Sequence, residues 1–113
     1  MNFDSIMPEL KGKLSDGPER VGFILQKFEI VEVENICHDA SEGFEVSGTA
    51  LIKYKDAIAT WHTHPEAPSA LSANDFYGFR NYPQWFHLII GTDGITSYYV
   101  ENGRVLVDRQ WQP

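Results

Sequence analysis

The first apolar residues of the chain fall at spacings of three and four. Phe3, Ile6, Met7, Leu10 and Leu14 share one stripe of a helix, and Pro8 is tolerable because it lies near the first turn. Ser15-Asp16-Gly17-Pro18 breaks that element. Val21, Phe23 and Leu25 then alternate with other residues, and Val31 and Val33 alternate with Glu32 and Glu34, which predicts two strands. Residues 35–48 are rich in Asp, Ser, Glu and Gly around Phe44 and Val46, the pattern of a loop pinned by apolar anchors. Residues 49–54 suit a helical turn or short helix. The apolar run 57–61, ending at His62, predicts a buried strand that opens into a Pro-rich loop over 64–71. Ser72 has the form of an N-cap, with Phe76 and Phe79 supplying the buried stripe of a helix to about residue 81. Beyond Pro83, residues 85–90 and 95–100 read as strands separated by an Asp93-Gly94 turn. Asn102-Gly103 predicts a tight hairpin into 104–107. The sum is an α/β chain, one mixed β-sheet with flanking helices.

Length and composition narrow this picture. The 113 residues suit a single domain spanning 1–113, and 42% hydrophobic with 22% charged residues is the composition of a chain that buries a core. A net charge of -7 argues against a nucleic-acid partner, because neutralising phosphates takes basic clusters. No stretch approaches the roughly 18 to 20 apolar residues of a membrane span, and the amino terminus lacks a secretory h-region, so a cytoplasmic location is expected. Cys37 is the only cysteine, which excludes an internal disulfide and a thiolate-only zinc cluster. Any metal has to be held by His and carboxylates.

Those residue types are concentrated in one stretch. His62-Thr63-His64-Pro65 is followed by six residues and then by Ser72-Ala73-Asn74-Asp75. Residues two apart on a strand face the same side, so His62 and His64 can aim at one point, and the loop is long enough to bring Asp75 back to them. Two His and one carboxylate leave the fourth position of a tetrahedral metal open to water, the pattern of catalytic zinc. Two plainer readings stand beside this one. Ser72-x-x-Asp75 is also a capping box, and a His-x-His pair on a strand is commonly no more than an exposed pair. Capping and metal binding do not exclude each other.

With these residues the chain resembles the JAMM or MPN+ metalloproteases, also called the JAB domain. The family signature is a distant Glu, then His-Ser/Thr-His-Pro, seven residues counted from that Pro, and Ser-x-x-Asp. His62-Thr63-His64, residues 65–71 and Ser72-x-x-Asp75 match at every position. The family Glu usually stands three residues before a Gly that opens an apolar strand, as Glu19 does before Gly22. The resemblance covers about residues 18–107 and implies a cytidine-deaminase-like (JAB/MPN) α/β fold. It further implies one Zn²⁺ per chain held by His62, His64, Asp75 and a water, with Glu19 as general base and Ser72 stabilising the tetrahedral intermediate. Asn35 and Phe44, ahead of the His motif, resemble the prokaryotic and phage-tail-assembly JAB domains. Without the resemblance, Glu19 reads as a solvent-facing charge at a strand start.

Other candidates carry less. His38 reads as a solvated loop residue, His87 as a hydrogen-bonded sheet histidine, and Cys37 as a thiol without a base partner. Trp61 and Trp85 read as core, with Trp61 a candidate flank of a substrate groove. The His-x-Glu and Pro-Cys-x-x-Cys signature of zinc deaminases is absent. The expected activity is hydrolysis of a peptide or isopeptide bond in a ubiquitin-like, phage or bacterial protein. The alternative is a catalytically idle MPN-like scaffold in a phage tail or bacterial complex. A chain this short is expected to take an extended peptide along a strand edge near the metal. It is also expected to rely on an activating partner with a basic or apolar face.

Overall fold

The computed structural model describes residues 1–39 and 43–113. Its strands are β1 (Val21–Ile24), β2 (Ile30–Val33), β3 (Ala59–Thr63), β4 (Phe86–Gly91), β5 (Gly94–Glu101) and β6 (Arg104–Trp111). Its helices are α1 (Met7–Lys11), α2 (Gly48–Lys53) and α3 (Ala73–Arg80). All six strands form one mixed sheet in the order β2-β1-β3-β4-β5-β6. Only β3 and β4 run parallel, and α3 lies in the connection between them, as a parallel crossover requires.

Strand alternation divides the apolar residues between the two faces of this sheet. Ile24, Ala59, Trp61, Leu88, Ile90 and Ile95 pack with Phe3, Ile6, Met7 and Leu10 from the amino terminus. On the opposite face Phe23 packs with Trp85 and the half-buried Leu51 of α2, and Ile89 and Tyr98 pack with Phe79 of α3. His62, opposite Val21 in the register of β1 on β3, belongs to this second face. Gly22 makes room on the first, because a Cβ there would overlap the Val31 carbonyl and stand 2.7 Å from the Trp61 indole nitrogen. That indole crosses β1 to donate to the same carbonyl at 3.1 Å.

Several boundaries differ from the sequence pattern. The first helix is a 3-10 turn (Asp4–Ile6) running into α1, so Leu14 lies past its end and still packs on the core. β1 is buried at all four positions instead of alternating, because both faces of the sheet are covered there, Ile24 packing with the amino-terminal residues and Phe23 with Trp85. Leu25 falls outside it, in the turn where Lys27 and Phe28 take positive φ. β3 starts two residues later than its apolar run and continues through Thr63. Trp85 precedes β4, and β6 extends to Trp111. Asn102 and Gly103 both have positive φ, the geometry that the Asn-Gly hairpin signal predicts. The loop over 35–48 is present with a short helix after it, and residues 40–42 of it lie outside the described residues. Among the described residues no helix is long and apolar enough to cross a membrane.

His87 is a sheet histidine with both nitrogens used. Its Nε2–H donates to the Tyr82 carbonyl at 3.0 Å, Nδ1 accepts from the Thr60 hydroxyl at 2.7 Å, and the ring stacks on Phe79 at 4.2 Å. Burial, stronger than the Tyr82 bond that opposes it, lowers its pKa from 6.5 to about 4. Between those values the unfolded chain binds a proton that the folded chain refuses, so stability falls as the pH falls from 6.5 toward 4. The loss approaches about 3 kcal/mol at about 1.4 kcal/mol per pH unit. Urea unfolding at pH 7.5 and pH 5 should show His87→Gln less sensitive to pH than the wild type. Equal sensitivity would mean that His87 does not titrate in this window.

Candidate metal centre

The first site residue is placed by strand register. β1 and β3 are antiparallel with Val21 opposite His62, and the Thr63 N–H donates to the Arg20 carbonyl at 2.9 Å, which continues the pairing past the strand end. The Arg20 N–H donates in turn to the Thr63 hydroxyl at 2.9 Å. Extending this register by one more residue sets Glu19 opposite His64. Alternation puts Glu19, Val21 and Phe23 on the face that carries His62.

His64 lies just past β3. Its backbone N–H donates to the Ile90 carbonyl at 2.8 Å, and its Nδ1–H donates to the Pro68 carbonyl at 2.8 Å. The Pro-rich loop thereby selects the tautomer, and neutral His64 turns the Nε2 lone pair inward. The loop itself is held down at Ser69. Its N–H donates to Asp93 at 2.7 Å, its hydroxyl bonds the Thr96 hydroxyl at 2.7 Å, and its carbonyl accepts from the Tyr98 hydroxyl at 2.8 Å.

The third residue arrives on α3. Ser72 caps that helix, accepting the Asp75 N–H at 3.1 Å, while the Asp75 carboxylate accepts the Ser72 N–H at 3.3 Å. The capping box therefore exists, and the same carboxylate also reaches the histidines. One Asp75 oxygen is 3.1 Å from His62 Nε2, the other is 3.1 Å from His64 Nε2, and the two Nε2 atoms are 3.2 Å apart. Asp75 and Phe79, four apart, form the buried stripe of α3. Phe76, expected in that stripe, is only half-buried, because the inward position one turn before Phe79 belongs to the carboxylate.

Three electron-rich groups so close together repel one another unless a cation stands among them, either a proton or a metal ion. Burial opposes the Asp75 charge, but hydrogen bonds from His62, from His64 when its Nε2 is protonated, and from Ser72 more than offset it and hold the carboxyl well below the usual range. His64 is also buried, which disfavours its charged form, yet Asp75 and the Pro68 carbonyl raise its pKa overall. Glu19 is half-buried, and desolvation raises its pKa despite the nearby His62 and His64. Donor atoms of Glu19, His62 and His64 lie within 4.8 Å of one another and could hold a metal ion. The site thus gathers Glu19, His62, His64, Ser72 and Asp75.

Two expectations about the surroundings change. Trp61 is fully buried on the opposite face of the sheet and cannot flank a substrate groove. β3 is paired on both sides by β1 and β4, so the strand that carries His62 offers no open edge to an extended peptide.

The chain matches the family described as prokaryotic homologues of the JAB domain over residues 7–107. Its fold is similar to the solution structure of protein DSY2949 from Desulfitobacterium hafniense, with a TM-score of 0.69 and 19% identity over 93% of this chain and 86% of that one. No curated protein sequence matches the chain.

Asn35 and Phe44 acquire a physical task only in the fold. Phe44 lies against the His62 ring with centroids 4.4 Å apart. The Asn35 amide donates to the carbonyls of Glu19 at 2.8 Å and Gly43 at 3.1 Å, and its oxygen accepts from the N–H groups of Cys37 at 3.0 Å and Glu45 at 3.1 Å. One side chain therefore ties the loop to the backbone of Glu19. Asn35→Ala should cost about 1–3 kcal/mol of stability in urea unfolding, and Asn35→Asp at least as much, because it aims an acceptor at two carbonyls. Wild-type midpoints for both variants would remove Asn35 from this role.

Proposed function

Because this chain belongs to the family of prokaryotic homologues of the JAB domain, which holds zinc isopeptidases and inactive members, we propose that it is a JAMM-type zinc metallopeptidase hydrolysing a peptide or isopeptide bond. The observation that carries this reading is the completeness of the donor set. Ligand atoms about 2.0–2.1 Å from a tetrahedral zinc stand about 3.3 Å from one another. His62 Nε2 and His64 Nε2 are 3.2 Å apart, and each stands 3.1 Å from a different one of the two Asp75 oxygens. Two imidazoles and one carboxylate thus suit zinc, and His62, His64 and Asp75 would hold it. Bound there, zinc would lower the pKa of a coordinated water to about 7 and polarise a carbonyl oxygen.

The chain's own residues supply the rest. Glu19, its carboxyl pKa raised by burial, takes a proton from the attacking water and returns it to the nitrogen of the leaving amine. Ser72 uses an oxygen lone pair to accept the Asp75 N–H, which leaves its hydroxyl hydrogen to donate to the developing oxyanion. Pro68 keeps His64 in the tautomer that leaves Nε2 bare.

Elemental analysis of purified protein should give one zinc per chain, and His62→Ala or Asp75→Ala should lose most of it, since a substituted water is a poorer, unoriented donor. Full occupancy in both variants would sink the proposed site. Glu19→Gln should retain zinc and fold while kcat/KM falls about 10²- to 10⁴-fold. Ser72→Ala should lower the rate less and cost about 1 kcal/mol through the lost cap. Unchanged turnover in Glu19→Gln would assign the base elsewhere, and a zinc-loaded wild type that cleaves no peptide or ubiquitin-like fusion would make the domain an idle scaffold.

A further inference from the structure

The helix-covered face of the sheet holds a cavity of about 490 Å³, within the roughly 300–1,000 Å³ of pockets that take small ligands. Glu19, Ser72 and Asp75 line it at the metal-site end. From there it runs along β1 and β3 past Phe23, Val46, Leu51, Phe79, Tyr82 and Trp85. Trp85 marks its far end, one residue before Phe86, which pairs with Ala59 at the opposite end of β3 from His62. A second, more open groove of about 470 Å³ shares Glu19, Ser72 and Asn74 with the first and is walled by Pro65, Ala67, Pro68 and Ala70. The reacting groups therefore sit between a large, mostly apolar cavity and a groove where proline and alanine residues stand beside Glu66 and Leu71.

Charge distinguishes which half of a substrate the cavity suits. Beyond the site residues Glu19 and Asp75, both Asp39 and Glu45 line the cavity, whereas the groove adds Glu66 alone, and among the described residues no Lys or Arg lines either. Amide hydrolysis joins the water oxygen to the carbonyl carbon and breaks the C–N bond. The nitrogen keeps the electron pair and takes a proton, so one product ends in a carboxylate and the other in an ammonium at neutral pH. An acidic lining repels the first and attracts the second. We infer that the cavity takes the side chain on the amine side of the scissile bond, and that this residue is bulky and apolar, such as Leu, Met or Phe. This rests on the peptidase reading above. The acyl side then lies in the proline and alanine groove.

The test begins with binding to the zinc-loaded full chain, read by NMR of the three indole N–H signals. The Trp61 indole donates to the Val31 carbonyl and the Trp111 indole to Asp4, whereas the buried Trp85 Nε1 has no partner among the described residues and its ring walls the cavity. Leucinamide, with an ammonium and an apolar side chain but no carboxylate, should bind at least about tenfold tighter than glycinamide or N-acetylleucine. It should move the Trp85 signal and leave the other two. Gly78 borders the cavity, and a Cβ there meets no atom within 4 Å, so Gly78→Phe has room and removes a helix-disfavouring residue from α3. Gly78→Phe, and Leu51→Trp from α2, should each weaken leucinamide by about tenfold or more. Equal affinity for glycinamide or N-acetylleucine, or wild-type binding in both variants, would overturn the assignment. Leucinamide binding without hydrolysis of any peptide would sink the peptidase reading and leave the cavity standing. Hydrolysis with no preference for leucine over glycine on the amine side would do the reverse.

Discussion

The antiparallel register of β1 on β3 is the constraint on which the site depends. With Val21 opposite His62, the residue two before the strand reaches the histidine two after it, on the same face. A slip of one residue would turn Glu19 to the opposite side of the sheet and destroy the juxtaposition, because side chains alternate with a period of two. Three contacts hold the register at the site end. Thr63 and Arg20 exchange bonds across the gap, the Arg20 guanidinium forks onto Glu32 of β2 at 2.9 and 2.7 Å, and the Trp61 indole reaches through the space at Gly22 to Val31. The threonine between the two histidines thus has a structural task while they face Asp75.

Stability and chemistry overlap at the start of α3. Ser72 and Asp75 satisfy each other's amides, which a helix of eight residues needs at its first turn. The same Asp75 carboxylate bridges His62 and His64, and Ser72 lines the cavity beside it. A residue that both caps a helix and carries charge into a site is held in place by the helix it stabilises. The carboxylate is thereby oriented before any ligand arrives, which is the pre-organisation that catalytic groups require. The arrangement also explains why the buried stripe of α3 is sparse, with Phe79 as its one large apolar residue.

Much of the frame was legible along the chain because its signals are local. Pro and Gly punctuate the segments, Asn102-Gly103 can make only the turn that it makes, and Ser72-x-x-Asp75 writes a helix start. The spacing of His62 and His64 already implies a shared face, since strand alternation is a property of the backbone. What local signals misplaced were positions whose burial is decided by neighbours. Phe76 has the size of a core residue but lies on the flank of α3, β1 loses its alternation because both faces of the sheet are covered there, and Trp61 packs away from the site with which its neighbours align.

The sequence by itself determined the donor types, their order and the cap, because these follow from side-chain chemistry and from periods of two and 3.6 residues. Only the tertiary structure decided that Glu19 meets His64 across 45 positions of chain, that Asn35 anchors the Glu19 backbone, and that a cavity opens between α3 and the loop before α2. Each depends on which strands pair and in what register. That is a choice among non-local contacts, made by the total burial on both faces of the sheet and written in no single segment.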